Sequence, residues 1–185
     1  NWFAGPDYIP RAVRAIEDNK GYAHSNGDFP YDVDGDGWVD VISQSFFQTE
    51  VNWYRNPGAD SLRMGLLWEK HLLVDTKVDR NEAEIMYDLD GDGVNELIVN
   101  SWNKETSLLA WKFATEMREV EVMRGRRKVK EMQEVPTMKK ITIGSNKNGH
   151  GLGVGDLNGD GLEDVLFQAG WYERPKNNAM DQTWT

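Results

Sequence analysis

Three short segments put oxygen-bearing side chains at one shared spacing: YDVDGDGWVD (31–40), YDLDGDGVNE (87–96) and GDLNGDGLED (155–164). Aligned on the first aspartate they read D-x-[DN]-x-D-G-x-x-[DE]. Equivalent places are taken by Asp32, Asp34, Asp36 and Asp40, by Asp88, Asp90, Asp92 and Glu96, and by Asp156, Asn158, Asp160 and Asp164. Carboxylates crowded in this way repel one another, and a hard dication at their centre answers the repulsion. Ca²⁺ takes about 6–8 oxygens at roughly 2.3–2.6 Å, from carboxylates, amides and backbone carbonyls. An EF-hand shares the opening of the pattern but needs an acid at its twelfth position and a helix on each side. Ser43, Val99 and Phe167 stand there instead, and β-rich runs follow. A metal-free reading, in which each Asp-Gly run is only an Asx turn, would serve for one such loop. Three loops with matching acids at the ninth position favour a metal.

Recurring elements surround the loops. Each is followed by a strand-like run: WVDVIS (38–43), VNELIVN (94–100) and LEDVLFQ (162–168). A Trp-bearing run comes next: VNWYRNPG (51–58), LLAWKF (108–113) and AGWYERP (169–175), with NWFAGP (1–6) as a further copy. WEKHLLVD (68–75) and MKKITIG (138–144) close the units as outer strands, and YIPRAVRAI (8–16) matches them. Each unit thus reads as loop, strand, Trp strand and outer strand. Trp53, Trp111 and Trp171 take equivalent places, so packing between units is their expected role. Dense strands with turn residues between them, and no convincing helix, predict an all-β antiparallel repeat. Four-stranded blades set radially are the simplest solution. The expected division is the end of one blade (1–23), blades at 24–79 and 80–147, and the start of another (148–185). The charged stretch 114–135 departs from the plan. Its EVEVM and KVKEM runs predict a hairpin across RGRR with opposite charges facing, or alternatively a short amphipathic helix.

With the loops, NWYRNP and GWYERP in view, the chain resembles FG-GAP and VCBS repeat proteins. Those are β-propellers that include the integrin α-subunit head and many secreted bacterial proteins. The resemblance implies calcium-binding repeats with about three Ca²⁺, held by the twelve side chains named above and by the carbonyls of Trp38, Val94 and Leu162. The neutral Asn158 weakens the expectation for the third site. Propellers close with roughly 4–8 blades, whereas these repeats amount to about three, an incomplete ring. The expected partners are therefore the remaining blades of the same propeller or neighbouring chains. The preferred function is a non-catalytic binding or scaffold module whose metals are structural, with a protein or carbohydrate ligand. The alternative is part of a propeller carbohydrate-active enzyme of the polysaccharide lyase or sugar dehydratase type.

Composition bounds these readings. The 185 residues have the length of one domain, and a 39% hydrophobic content is enough for a core. The formal charge of −10 argues against nucleic acid as a partner, because phosphate binding needs a basic footprint. Three dications would offset more than half of it. No apolar run approaches the ~20 residues of a membrane span. Without cysteine there is neither a disulfide nor a thiolate metal site. The chain begins at Asn1 with no methionine and no signal-peptide pattern, so it is read as a processed product or a piece of a longer one. Weak calcium cages fill where the ion is abundant, which predicts an extracellular or periplasmic, secreted location. His24 and His150 precede the first and third loops and are the candidate ligand-facing residues, whereas His71 matches Lys140 of its sister strand and reads as surface. The basic run from Arg124 to Lys130 reads as a solvated hairpin end.

Overall fold

The structure, a computed structural model, describes residues 1–103, 105–145 and 149–185, and of Asn19 only the backbone. Positions 146 and 147, which end the expected 80–147 unit, lie outside the described residues. The architecture is all-β and antiparallel. Two small two-stranded sheets come first: β1 (Trp2–Phe3) with β2 (Pro10–Arg11), and β3 (Asp18–Asn19) with β4 (Tyr22–Ala23). A four-stranded meander follows, from β5 (Gly27–Tyr31) through β6 (Asp40–Gln44) and β7 (Glu50–Arg55) to β8 (Glu69–Asp75). A second meander runs from β9 (Asn81–Tyr87) through β10 (Glu96–Ser101) and β11 (Leu108–Arg124) to β12 (Arg127–Gly144). The third sheet holds β13 (Leu152–Gly155), β14 (Asp164–Phe167) and β15 (Gly170–Tyr172).

The acidic loops do not open their units. Each joins a first strand to a second, β5 to β6, β9 to β10 and β13 to β14, so every loop is the connection of a β-hairpin. The expected order of loop, strand, Trp strand and outer strand lacked this leading strand. Its segments, GDFPY and LGVG among them, carry Gly and Pro and read locally as turns. A short helix, α1 (Gly58–Arg63), connects β7 to β8 and buries none of its residues.

Three apolar clusters layer the chain. Ile42, Val51, Trp53 and Leu73 of the first sheet meet Leu97, Val99, Trp111 and Met138 of the second. Ile98, Leu108, Ile141 and Ile143 on the far face of the second sheet meet Val165 and Tyr172 of the third, with Trp184. Val13, Tyr54 and Trp68 pack on the remaining face of the first sheet, with Trp2 beside them. The second sheet is therefore covered on both faces. That is why all six residues of β10 are buried and Leu97, Ile98 and Val99 stand in a row at its centre.

Register corrects the alignment of the tryptophans. Val41 pairs with Tyr54, Leu97 with Trp111 and Val165 with Tyr172, so Trp111 is the counterpart of Tyr54 and Tyr172. Trp53 and Trp171 sit one residue earlier and point to the opposite face, since side chains alternate along a strand. Trp53 and Trp111 consequently enter the same cluster from its two sides. Trp171 lies on the outer face of the third sheet, 39% exposed.

The stretch 114–135 is a hairpin, not a helix: it carries β11 and β12 outward to a turn at Gly125, with Val122 opposite Val129. Ion pairs join Glu119 to Lys130 at 2.6 Å, Glu131 to Arg124 at 2.8 Å, and Glu121 to Lys128. One hairpin face turns back on the first sheet, where Arg118 donates to the Leu72 carbonyl (3.1 Å) and Thr137 to that of Leu73 (3.3 Å).

The second and third sheets pack closely at Gly144, where a Cβ would stand 1.9 Å from Tyr172 Cζ. Gly144→Ala is expected to lower stability by about 1–3 kcal/mol through overpacking. In a chain of this size the thermal midpoint falls by roughly 2–4 °C per kcal/mol. Thermal unfolding followed by near-UV circular dichroism measures it.

Candidate metal centre

Every acidic loop is wound the same way, and its own backbone does the winding. In the first, Asp32 accepts from the amides of Asp36 (3.1 Å) and Gly37 (2.9 Å), and Asp36 accepts from Trp38 (2.9 Å). The second repeats this with Asp88 accepting from Asp92 (3.1 Å) and Gly93 (2.9 Å), and Asp92 from Val94 (2.9 Å). In the third, Asp156 accepts from Asp160 (3.1 Å) and Gly161 (2.9 Å), and Asp160 from Leu162 (3.0 Å). The third-position groups Asp34, Asp90 and Asn158 each accept from the amide two residues on, at 3.3, 3.2 and 3.0 Å. Turning the chain this tightly needs left-handed backbone at Gly35 (φ 72°) and Gly37 (φ 87°), which a side chain would strain.

The ninth-position acids behave differently from the rest. Asp40, Glu96 and Asp164 have no exposed surface. Asp40 accepts from the Val33 amide (2.9 Å) and, across the sheet, from that of Asn56 (2.7 Å). Asp164 repeats both bonds with Leu157 and Arg174, at 3.0 Å each. Glu96 bonds Leu89 through Oε2 (2.8 Å), but its buried Oε1 has no hydrogen-bond partner. Burial is the main cause that raises the carboxyl pKa of Asp40 and of Glu96 above the ordinary value.

Oxygens of Asp32, Asp34 and Asp36 lie within 4.8 Å of one another, as do those of Asp88, Asp90 and Glu96. Ligands at calcium distance from a shared centre stand no more than about 5 Å apart, so both groups fit a dication. Glu96 Oε1, without a hydrogen bond and met only by Lys112 at 3.5 Å, is a further buried acceptor in this group. In the third loop, Asp156, Asn158 and Asp160 hold the corresponding positions.

A cation from the third strand lies against each of the first two loops, and sequence reading missed both. Arg55 Nε sits 2.7 Å from Asp34, and its Nη2 sits 3.1 Å from Asp36. Lys112 Nζ reaches Asp90 (2.5 Å), Asp92 (2.6 Å) and Glu96 Oε1 (3.5 Å). Burial works against the Lys112 charge, but its bonds to Asp90 and Asp92 and the charge of Glu96 outweigh this and raise its pKa. In the third sheet the residue after Tyr172, the counterpart of Arg55 and Lys112, is Glu173. Among the described residues no ion pair reaches Asp156 or Asp160.

His24 and His150 lie at the other end of the sheets, before β5 and β13. The structure does not pair them. His24 meets Gln48 (3.2 Å) and Glu17 (3.6 Å), whereas His150 meets Glu82 (2.9 Å). Between them runs a chain of rings: His24 with Phe47 (5.8 Å), Phe47 with Phe46 (5.1 Å), Phe46 with Trp102 (5.0 Å) and Trp102 with His150 (4.4 Å). Phe46, Phe47 and Trp102 follow the ends of β6 and β10, and no motif marked them. With Tyr22, Asn26 and Glu82 they line a cleft of about 590 Å³. His71 stacks on Trp53 (4.8 Å) and lines the space under the hairpin.

Glu84 on β9 is wedged beside Gly27 of β5, where a Cβ would stand 2.2 Å from its Oε2. Neither of its oxygens has a hydrogen-bond partner, and burial, then the charge of Asp28, pushes its pKa up to about 7. The folded state therefore binds this proton more tightly than the unfolded chain, and stability should fall as pH rises from about 5 through about 7. Glu84→Gln is expected to remove that fall, gaining on the parent by roughly 2 kcal/mol across this interval. Urea unfolding at fixed calcium across the pH series measures it. Comparison with protein-family models, with curated proteins and with solved structures finds no match to this chain.

Proposed function

We propose that the chain is a stretch of a calcium-binding β-propeller that acts as a non-catalytic binding or scaffold module, with its ions in a structural role. One observation carries this reading: the same acidic loop joins the first and second strands of three successive antiparallel sheets that layer face to face. Up-and-down sheets stacked in sequence are what a radial, blade-like arrangement requires. The ions would be held by Asp32, Asp34 and Asp36, by Asp88, Asp90, Asp92 and Glu96, and by Asp156, Asn158 and Asp160. Trp38, Val94 and Leu162 would add their carbonyls, and Asp40 and Asp164 would secure the loops. A bound Ca²⁺ supplies positive charge that relieves the crowded carboxylates, so loop order becomes linked to ion concentration. Such ions suit an extracellular or periplasmic setting. The exposed face of the third sheet, with Trp171, suits a neighbouring blade or chain, and the ring-lined cleft near His24 and His150 suits a protein or carbohydrate ligand.

Calcium is expected to raise the thermal midpoint and EGTA to reverse the rise. A site at a hundredfold excess of ion over its Kd contributes about 2.7 kcal/mol. Asp32→Asn, Asp88→Asn and Asp156→Asn should each remove one ion from the calorimetric stoichiometry of about three. A melting curve indifferent to calcium overturns the reading.

A second reading, part of a carbohydrate-active enzyme, has one observation in its favour. Arg14, His24 and Tyr54 line a single cleft of about 200 Å³ together with Glu17 and Lys70. An imidazole base, a phenol acid and a guanidinium for the uronate carboxylate are the groups an elimination needs. Incubation with uronate polysaccharides should then release an unsaturated, ultraviolet-absorbing product that His24→Ala abolishes. No product from any of several such substrates removes this reading.

A further inference from the structure

We propose that Lys112 is a built-in counter-ion that competes with calcium for the second loop, that Arg55 does the same more weakly in the first, and that the third loop, which lacks one, fills first. The inference rests on the loops being calcium sites and concerns how that binding is graded.

Lys112 holds a place a metal would need. Its ammonium contacts Asp90, Asp92 and Glu96, three of the four loop acids, and two of the contacts are at 2.5 and 2.6 Å. A dication within bonding reach of those oxygens cannot share them with an ammonium at that distance, because like charges so close repel strongly. Lys112 must therefore leave when calcium enters, and its flexible stem lets it swing toward solvent. Glu96 Oε1 marks where it leaves from. This fully buried oxygen has no hydrogen bond, and the Lys112 contact at 3.5 Å answers it only loosely. A dication in the loop would give it a closer partner.

Arg55 is the milder case. It contacts two loop acids, and 46% of its side chain is exposed, against 28% for Lys112. The third loop appeared weakest on ligand charge because Asn158 replaces an aspartate. Counting the strand cation reverses this. Four acids with Arg55 or Lys112 make a net −3 in the first two loops, and Asp156, Asp160 and Asp164 make −3 in the third, where Glu163 is met by Arg174 at 3.8 Å. Glu173, at the position of Arg55 and Lys112, brings no positive charge. Equal charge with nothing to displace favours the third loop. The same asymmetry leaves the first two loops partly neutralised when calcium is scarce and makes the third sheet the calcium-conditional part of the chain.

Calcium titration of the whole chain by calorimetry, with thermal melts in EGTA, tests this. Parent protein should show one tight step that Asp156→Asn removes, followed by weaker ones. Lys112→Met is expected to tighten the weakest step at least tenfold and to lower the midpoint in EGTA. Lys112→Arg, which keeps the charge, should leave the step unchanged. A Lys112→Met protein that keeps its stoichiometry without the gain overturns the counter-ion role and leaves the calcium reading standing. So does a gain shared by Lys112→Arg, since packing would then explain it. If Lys112→Met does not fold in EGTA, Lys112→Gln takes its place under the same criterion. A parent that binds no calcium overturns both.

Discussion

A carboxylate held wholly out of water at the end of each acidic loop is the contact on which the rest of the arrangement depends. Asp40 and Asp164 close their loops by accepting from the amide one residue after the first aspartate and from an amide just beyond the third strand. A buried carboxylate is tolerated only when hydrogen bonds replace its lost hydration, and removing one partner leaves a cost of several kcal/mol. These residues thus bind loop, second strand and third strand into one network, and the other acids can crowd because their backbone is already held. Glu96 is the exception. It clamps its own loop, but its second oxygen meets an ammonium instead of an amide.

The loops and the strands that follow them were legible because their signals are local: paired glycines, acids at a fixed interval and runs of β-branched residues. The hairpin at 114–135 was legible as well, since its valines and opposite charges alternate with a period that a strand satisfies. The leading strands β5, β9 and β13 were not. Only pairing with β6, β10 and β14 makes GDFPY or LGVG extended, and pairing is a tertiary fact. The tryptophans misled for a related reason. Similar letters in NWYRNP, LLAWKF and GWYERP suggested one register, but the ladder aligns Trp111 with Tyr54 and Tyr172, and a slip of one residue exchanges the two faces of a sheet.

What lies across strands was the least readable. Arg55 and Lys112 stand about twenty positions from the acids they contact, with no motif to link them. The rings between His24 and His150 converge only because β6 and β10 end at the same side of the layered sheets. The two histidines were noticed for preceding loops, yet the fold sends the loops to one end of the sheets and the imidazoles to the other. The acids gather at one end of the sheets and the rings at the other, a strand's length apart.

The long hairpin of the second sheet has a mechanical consequence. It reaches over β8, and through Arg118 and Thr137 it grips two consecutive carbonyls of a neighbour's outermost strand. The first layer cannot peel away at that edge unless the second lets go. Tension on either would be shared between them, so they should yield together as one clasped body.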